Sequence, residues 1–169
     1  QCVYGESKLN GEKSIIKSEC KYLIIRTSWI FSKYGKNFLK TMIDLSKSKD
    51  EISVINDQYG SPTYAKHLAQ ALIKIISKLK LSDFKSSIYH YSGREECSWY
   101  DFAKVIFDCI ESINGSNEMR IIGISSSDYD SFAKRPKYSV LNCDSLIKEF
   151  DIETSNWQNG ASEVIENLI

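Results

Sequence analysis

Lys21-Tyr22-Leu23-Ile24-Ile25-Arg26-Thr27-Ser28 is the stretch on which the fold turns. Tyr22 to Ile25 form an apolar run that Arg26-Thr27-Ser28 closes with polar groups. A short unbroken apolar run of this kind reads as a strand covered on both faces, the signature of a parallel sheet. On its amino-terminal side, residues 3–19 set Val3, Leu9, Ile15 and Ile16 among charged residues, which predicts a helix. On the other side a loop with Gly35 precedes Asn37, a plausible helix cap, and Phe38, Leu39, Met42, Ile43 and Leu45 recur at helical spacing.

The alternation continues to the end of the chain. Residues 52–55 predict a short strand, and residues 56–62 a loop punctuated by Gly60 and Pro62. Leu68, Ala69, Leu72, Ile73, Ile76 and Leu79 mark an amphipathic helix over 65–79. Residues 88–91 read as a strand closed by Ser92-Gly93. Ser98 with Asp101 three residues on resembles a capping box, opening a helix that Asn114-Gly115 stops. A strand over 119–124, a polar loop over 125–134, a short strand over 138–141 and small helices near 144–150 and 156–168 complete the reading. Strands and helices in alternation give an α/β class with some parallel pairing.

The chain has 169 residues, with 22 Lys plus Arg against 22 Asp plus Glu, so its formal net charge is zero. Chains built to grip nucleic acid or an anionic membrane surface carry a basic excess, so neither partner is expected. Cys2, Cys20, Cys97, Cys109 and Cys143 form no Cys-x-x-Cys pair and His67 and His90 are the only histidines, which argues against a zinc site. All five thiols are expected to be reduced, as in a cytoplasmic protein. No apolar run reaches the length of a membrane span and no signal segment is seen. The start at Gln1, directly before a helical pattern, leads us to expect that upstream sequence is missing.

Tyr4-Gly5-Glu6-Ser7-Lys8 sets a phenol and an ammonium four residues apart, hence one turn apart on one helix face. A phenol with an ordinary pKa near 10 is a weak acid at neutral pH. A cation about 4 Å away favours the phenolate by up to roughly 4 kcal/mol at an effective dielectric of about 20. A tyrosine so placed is suited to hand a proton to a carbonyl oxygen while hydride adds to the carbon. Taken alone, this spacing also describes an exposed surface pair.

The order of motifs adds what the pair lacks. Tyr4 and Lys8 are followed by Leu23-Ile24-Ile25-Arg26-Thr27-Ser28-Trp29, then Gly35-Lys36-Asn37-Phe38 and Val54-Ile55-Asn56-Asp57-Gln58-Tyr59-Gly60-Ser61-Pro62-Thr63. Tyr89-His90-Tyr91-Ser92-Gly93, Ser98-Trp99-Tyr100-Asp101-Phe102-Ala103 and Arg135-Pro136 come later. This series resembles the dTDP-4-dehydrorhamnose reductase family of extended short-chain dehydrogenases over nearly the whole chain. The resemblance implies a remnant of a Rossmann-type parallel sheet domain, residues 1–28 and 64–92, with a smaller α/β substrate domain, residues 29–63 and 93–169. It implies NADPH or NADH as cofactor, a dTDP-4-keto-6-deoxy sugar as substrate, and an association with magnesium. It also admits a homodimer.

Site roles follow from the same resemblance. Tyr4 is the expected proton donor, and Lys8 binds the nicotinamide ribose. Thr27, Ser28 and Trp29 lie beside the nicotinamide, and Trp29 also covers an apolar sugar carbon. Gln58, Tyr59, Gly60, Pro62 and Thr63 belong to the substrate loop, and Arg135 reaches the diphosphate. Without the resemblance, Trp29 and His90 read as core residues, Gly60 and Pro62 as turn formers, and Arg135, Asp128 and Asp130 as a solvated loop. The chain holds no Gly-x-x-Gly-x-x-Gly turn and no Ser or Thr ahead of Tyr4 to orient a substrate carbonyl. The expectation is therefore an inactive carboxy-terminal fragment of a reductase. An epimerase or dehydratase of the superfamily, or a non-catalytic regulatory or binding subunit of the same fold, stands as the alternative.

Overall fold

The computed structural model describes residues 3–79, 85–115, 119–130 and 135–169. Helix α1 (Val3–Lys17) leads into strand β1 (Leu23–Arg26) and the two-residue β2 (Ile30–Phe31). Helix α2 (Phe38–Ser46), β3 (Glu51–Ile55), β4 (Tyr59–Gly60), β5 (Thr63–Tyr64), α3 (Ala65–Lys78) and β6 (Ser87–His90) follow. Then β7 (Cys97–Ser98) runs into α4 (Trp99–Asn114), and β8 (Arg120–Ile124), α5 (Asp144–Phe150) and α6 (Trp157–Glu166) close the order.

Among the described residues the strands pair two by two. β1 lies parallel to β6, with Arg26 opposite His90, and β3 lies parallel to β8. β2 and β5 form a third parallel pair, while β4 and β7 are antiparallel. The strand expected over 21–28 forms at Leu23–Arg26 and pairs in parallel, but it is not buried as expected: Leu23, Ile24 and Ile25 are half-buried and Arg26 is exposed. The α/β class expected from the pattern is the one observed.

Local chemistry explains the helix limits. Asn37 caps α2, its side-chain oxygen accepting from the Lys40 amide at 3.2 Å. At α4 the Ser98 hydroxyl accepts from the Asp101 amide at 3.1 Å, and the Asp101 carboxylate accepts from the Ser98 amide at 2.9 Å. Aspartate therefore closes a capping box as glutamate would. Gly115, at φ +81°, ends that helix in the left-handed conformation that glycine adopts freely.

One expected element does not form. Residues 138–141 make no strand beyond a single parallel bridge between Tyr59 and Tyr138. Pairing stops there: the Tyr59 amide donates to the Lys137 carbonyl and its carbonyl accepts from Ser139, both at 2.8 Å. Of the polar loop expected over 125–134, residues 131–134 lie outside the described residues.

Two apolar clusters hold the elements together. The larger packs Phe31, Leu39, Phe102, Ile106, Trp157 and Ile165 between α2, α4 and α6. The smaller gathers Ala71, Ile75, Tyr91, Leu146, Phe150 and Ile152 against Leu23 and Ile25 of β1. Cys20, Cys97, Cys109 and Cys143 are free, and Cys2 lies outside the described residues. Burial pushes the Cys97 thiol up to about 12, with the nearby Asp101 charge adding to the effect. No described helix is long and apolar enough to cross a membrane.

Candidate functional site

The carboxyl end of β1 and the loop before β5 meet edge to edge. The Thr27 hydroxyl donates to the Thr63 hydroxyl at 3.3 Å, and the Ser28 hydroxyl donates to the Ser61 carbonyl at 3.3 Å. The Thr63 amide donates to the Trp29 carbonyl at 3.1 Å, and the Gly93 amide to the Pro62 carbonyl at 3.1 Å. Pro62 and Thr63 are fully buried. Thr27, Ser28 and Trp29 therefore stand with Gly60, Pro62 and Thr63 as one unit, although some thirty residues separate them in sequence.

Trp29 is the conspicuous member. Its φ is +49°, a conformation costly for a residue with a β-carbon. Its indole stacks on Trp99, centroids 3.5 Å apart and planes 8° from parallel. A β-carbon on Gly60 would come within 2.4 Å of the Trp29 ring. Gly60 is required here because the indole lies against its backbone. Phe38 extends the aromatic group, its ring 4.7 Å from that of Trp99.

Beside this stack opens a cleft of about 550 Å³. Phe38, Met42, Ile52 and Trp99 give it an apolar wall, and Gln58, Ser126, Tyr129, Arg135 and Lys137 give it a polar one. Gln58 is 7% exposed, and its side-chain oxygen has no hydrogen-bond partner. Arg135 is exposed at the rim. The lining thus combines the aromatic rings of Phe38, Trp99 and Tyr129 with the cationic side chains of Arg135 and Lys137. Tyr59 does not line the cleft; its backbone instead anchors Lys137 and Ser139.

Tyr4 and Lys8 lie on α1 and outside the cleft lining. Tyr4 is 71% exposed, and the Lys8 ammonium sits 5.4 Å from its ring centroid. One turn further on, Glu12 accepts from Arg26 in a two-pronged pair, Nε to Oε1 at 2.8 Å and Nη2 to Oε2 at 2.6 Å. Arg26 is the residue just before Thr27, so this pair ties the Tyr4–Lys8 helix to the strand end that carries Thr27, Ser28 and Trp29. The Arg26 hydrogen bond holds the Glu12 carboxyl below its usual range. Among the described residues there is no group of three or more His, Cys, Asp or Glu side chains that could hold a metal ion.

The sequence profile of the RmlD substrate binding domain matches residues 1–169, the whole chain. The chain belongs to that family. Its relatives agree with the match: the dTDP-4-dehydrorhamnose reductase of Aggregatibacter actinomycetemcomitans is 40% identical over 165 residues, 96% of this chain and 56% of the relative. That of Sinorhizobium fredii is 37% identical, over 99% of this chain and 57% of the relative. The RmlD-type domain thus spans little more than half the length of these relatives. Among solved structures, the dTDP-4-dehydrorhamnose reductase of Bacillus anthracis in complex with NADP is 37% identical with a TM-score of 0.84, over 98% of this chain and 55% of that one. A dTDP-glucose 4,6-dehydratase of the same organism is 12% identical with a TM-score of 0.64, over 85% of this chain and 43% of that one, and shows the fold alone.

Sequence reasoning missed several residues of the RmlD-type cleft. Phe38 and Trp99 stood inside quoted motifs without a role, and Ser126, Tyr129 and Lys137 carried no signal. Their shared wall is built from segments far apart in sequence, which spacing alone does not reveal.

Proposed function

We propose that this chain supplies the substrate-binding part and the Tyr4–Lys8 helix of an NAD(P)H-dependent reductase that converts dTDP-4-dehydrorhamnose to dTDP-rhamnose. The match of all 169 residues to the family, with reductases 37–40% identical, carries this reading. Likeness to dehydratases and epimerases rests on 11–15% identity and supports a common fold only. The division into a Rossmann remnant (1–28 and 64–92) and a substrate domain (29–63 and 93–169) is proposed on the same basis. The two apolar clusters follow it in part: Leu146, Phe150 and Ile152 of the second range pack in the cluster around β1, and Tyr64 of the first packs in the larger one. A homodimer and a cytoplasmic site of action belong to the same proposal.

NADPH or NADH, when bound, supplies the hydride that adds to the keto carbon. The residues at the nicotinamide end fit that group: exposed Tyr4 and Lys8 on one helix, and polar Thr27 and Ser28 at a strand's carboxyl end. The pyrophosphate end does not fit, since the 169 residues hold no glycine-rich turn, and reduction by these residues alone is not expected. Tyr4 gives its phenolic proton to the C4 oxygen as negative charge builds there. Lys8 holds the ribose hydroxyls and supports the charge left on the phenolic oxygen. Trp29 presents an aromatic face to the sugar, with Gln58 and Arg135 on the nucleotide and its diphosphate.

Tyr4→Phe tests the assignment in the complete enzyme, because it keeps the ring and removes the proton. Steady-state kinetics should show kcat lowered by about 10²–10⁴, the usual worth of a positioned general acid, with KM little changed. Near-normal turnover would show that another group gives the proton, and no turnover by the unaltered complete protein would favour the reading of a non-catalytic binding subunit.

A further inference from the structure

We infer that Asp57 is a positioning residue for nucleotide binding: its carboxylate ties Ser125 and Ser126, which leave β8, to Lys137, which returns to β4, and so holds the nearby Tyr129 and Arg135 at the cleft. This rests on the proposed reading of the cleft as a nucleoside diphosphate site. Asp57 itself does not line the cleft. Both of its oxygens are turned to the protein. Oδ1 accepts from the Ser126 amide at 2.8 Å, and Oδ2 accepts from the Ser126 hydroxyl at 2.9 Å and the Ser125 hydroxyl at 3.4 Å. The Lys137 ammonium lies 3.4 Å from Oδ2. One carboxylate thus contacts residues that leave β8 and the residue that returns to β4.

The surroundings make this junction rigid on every side but one. The stem leaving β8 is fixed at its root, where the Asn56 amide donates to the Ile124 carbonyl at 3.0 Å. The returning stem is fixed by the two backbone hydrogen bonds of Tyr59. Between them, Ser126, Tyr129, Arg135 and Lys137 all line the cleft, as does Gln58, next to Asp57. Asp57 is the side chain that joins the two stems. Its negative charge beside a site for an anionic ligand is otherwise unfavourable. That charge is taken up by the Ser126 donors and by Lys137, which leaves Arg135 to the diphosphate.

Simple electrostatics and positioning predict opposite signs. Removing a negative charge next to a diphosphate site should tighten binding if charge alone counts; releasing the stems should weaken it. Calorimetric titration of dTDP into the full chain provides the measurement. Asp57→Ala should weaken dTDP about tenfold, and Asp57→Asn, which keeps an acceptor for the Ser126 amide, by less. Arg135→Ala should also weaken dTDP, and adding Asp57→Ala to Arg135→Ala should cost clearly less than Asp57→Ala does alone, because Asp57 acts in part through that residue. General loosening of the fold would lower affinity equally in both backgrounds. Unchanged or tighter binding by both Asp57 variants overturns the inference while leaving the proposed function in place, and so do additive losses in the double variant. Absence of dTDP binding by the unaltered chain overturns both.

Discussion

Gly60 and Trp29 show how much one missing side chain decides. In sequence Gly60 reads as turn chemistry, and Trp29 as an aromatic that follows a strand. Nothing in the spacing says that the indole of one lies on the backbone of the other, because Trp99, seventy residues beyond Trp29, is what presses it there. The ring cannot retreat from an added methyl without leaving its stack or its left-handed backbone. Gly60→Ala should therefore destabilise the chain by about 1–3 kcal/mol through overpacking. Thermal unfolding would measure it, and an unchanged melting temperature would show that the stack yields freely. The spacing of Tyr4 and Lys8, the pair proposed for catalysis, was the most legible feature at this scale, since the two sit one turn apart on α1 as that spacing requires. The cleft was the least legible, because Gln58, Trp99 and Arg135 come together only through the fold.

Among the elements, α1 is held unusually. It buries no residue completely, so its hold on the sheet rests in large part on the Glu12–Arg26 pair. Such partly exposed pairs contribute about 0.2–1 kcal/mol each. Arg26 keeps the Glu12 carboxyl below its ordinary 4.5. The stabilisation is therefore complete above that ordinary value and is lost as pH falls through the lowered one. Amide protection in α1, corrected for intrinsic exchange, should fall on acidification before that of α4. In Glu12→Gln it should be low already at neutral pH, with the acid step gone. Identical protection in wild type and variant would mean that other contacts hold the helix. Helices α2, α3 and α4 were legible because each carries an apolar stripe and, at α2 and α4, a capping residue. The two-residue strands β2, β5 and β7 were not: two residues set no period, and their partners lie far along the chain.

For the whole molecule, the two apolar clusters define what can move separately. Leu146 is fully buried in the smaller one, between α3 and β6, and Phe102 lies at the centre of the larger. Leu146→Ala should cost about 2–5 kcal/mol. The loss should first appear as faster hydrogen exchange in β1, β6 and α3, with α4 and α6 still protected. Simultaneous loss of protection throughout would show that both clusters unfold as one. The sequence pattern indicated alternation and parallel pairing, but not that α5, near the end of the chain, would complete the core around its first strand. That contact joins residues more than a hundred positions apart, and periodicity carries no such information.

The stacked indoles also make the molecule legible in light. Two stacked rings 3.5 Å apart are close enough to couple their electronic transitions. Where the rings are twisted about the stacking axis, the coupling should give a paired positive and negative band in the ultraviolet circular dichroism. The chain has three tryptophans, and the third, Trp157, is buried against Phe102, away from that stack. Because Trp99 is also a wall of the cleft, a ligand that enters has to touch the coupled pair. Occupancy of the site is thus written into the absorption of the protein itself, with no label attached.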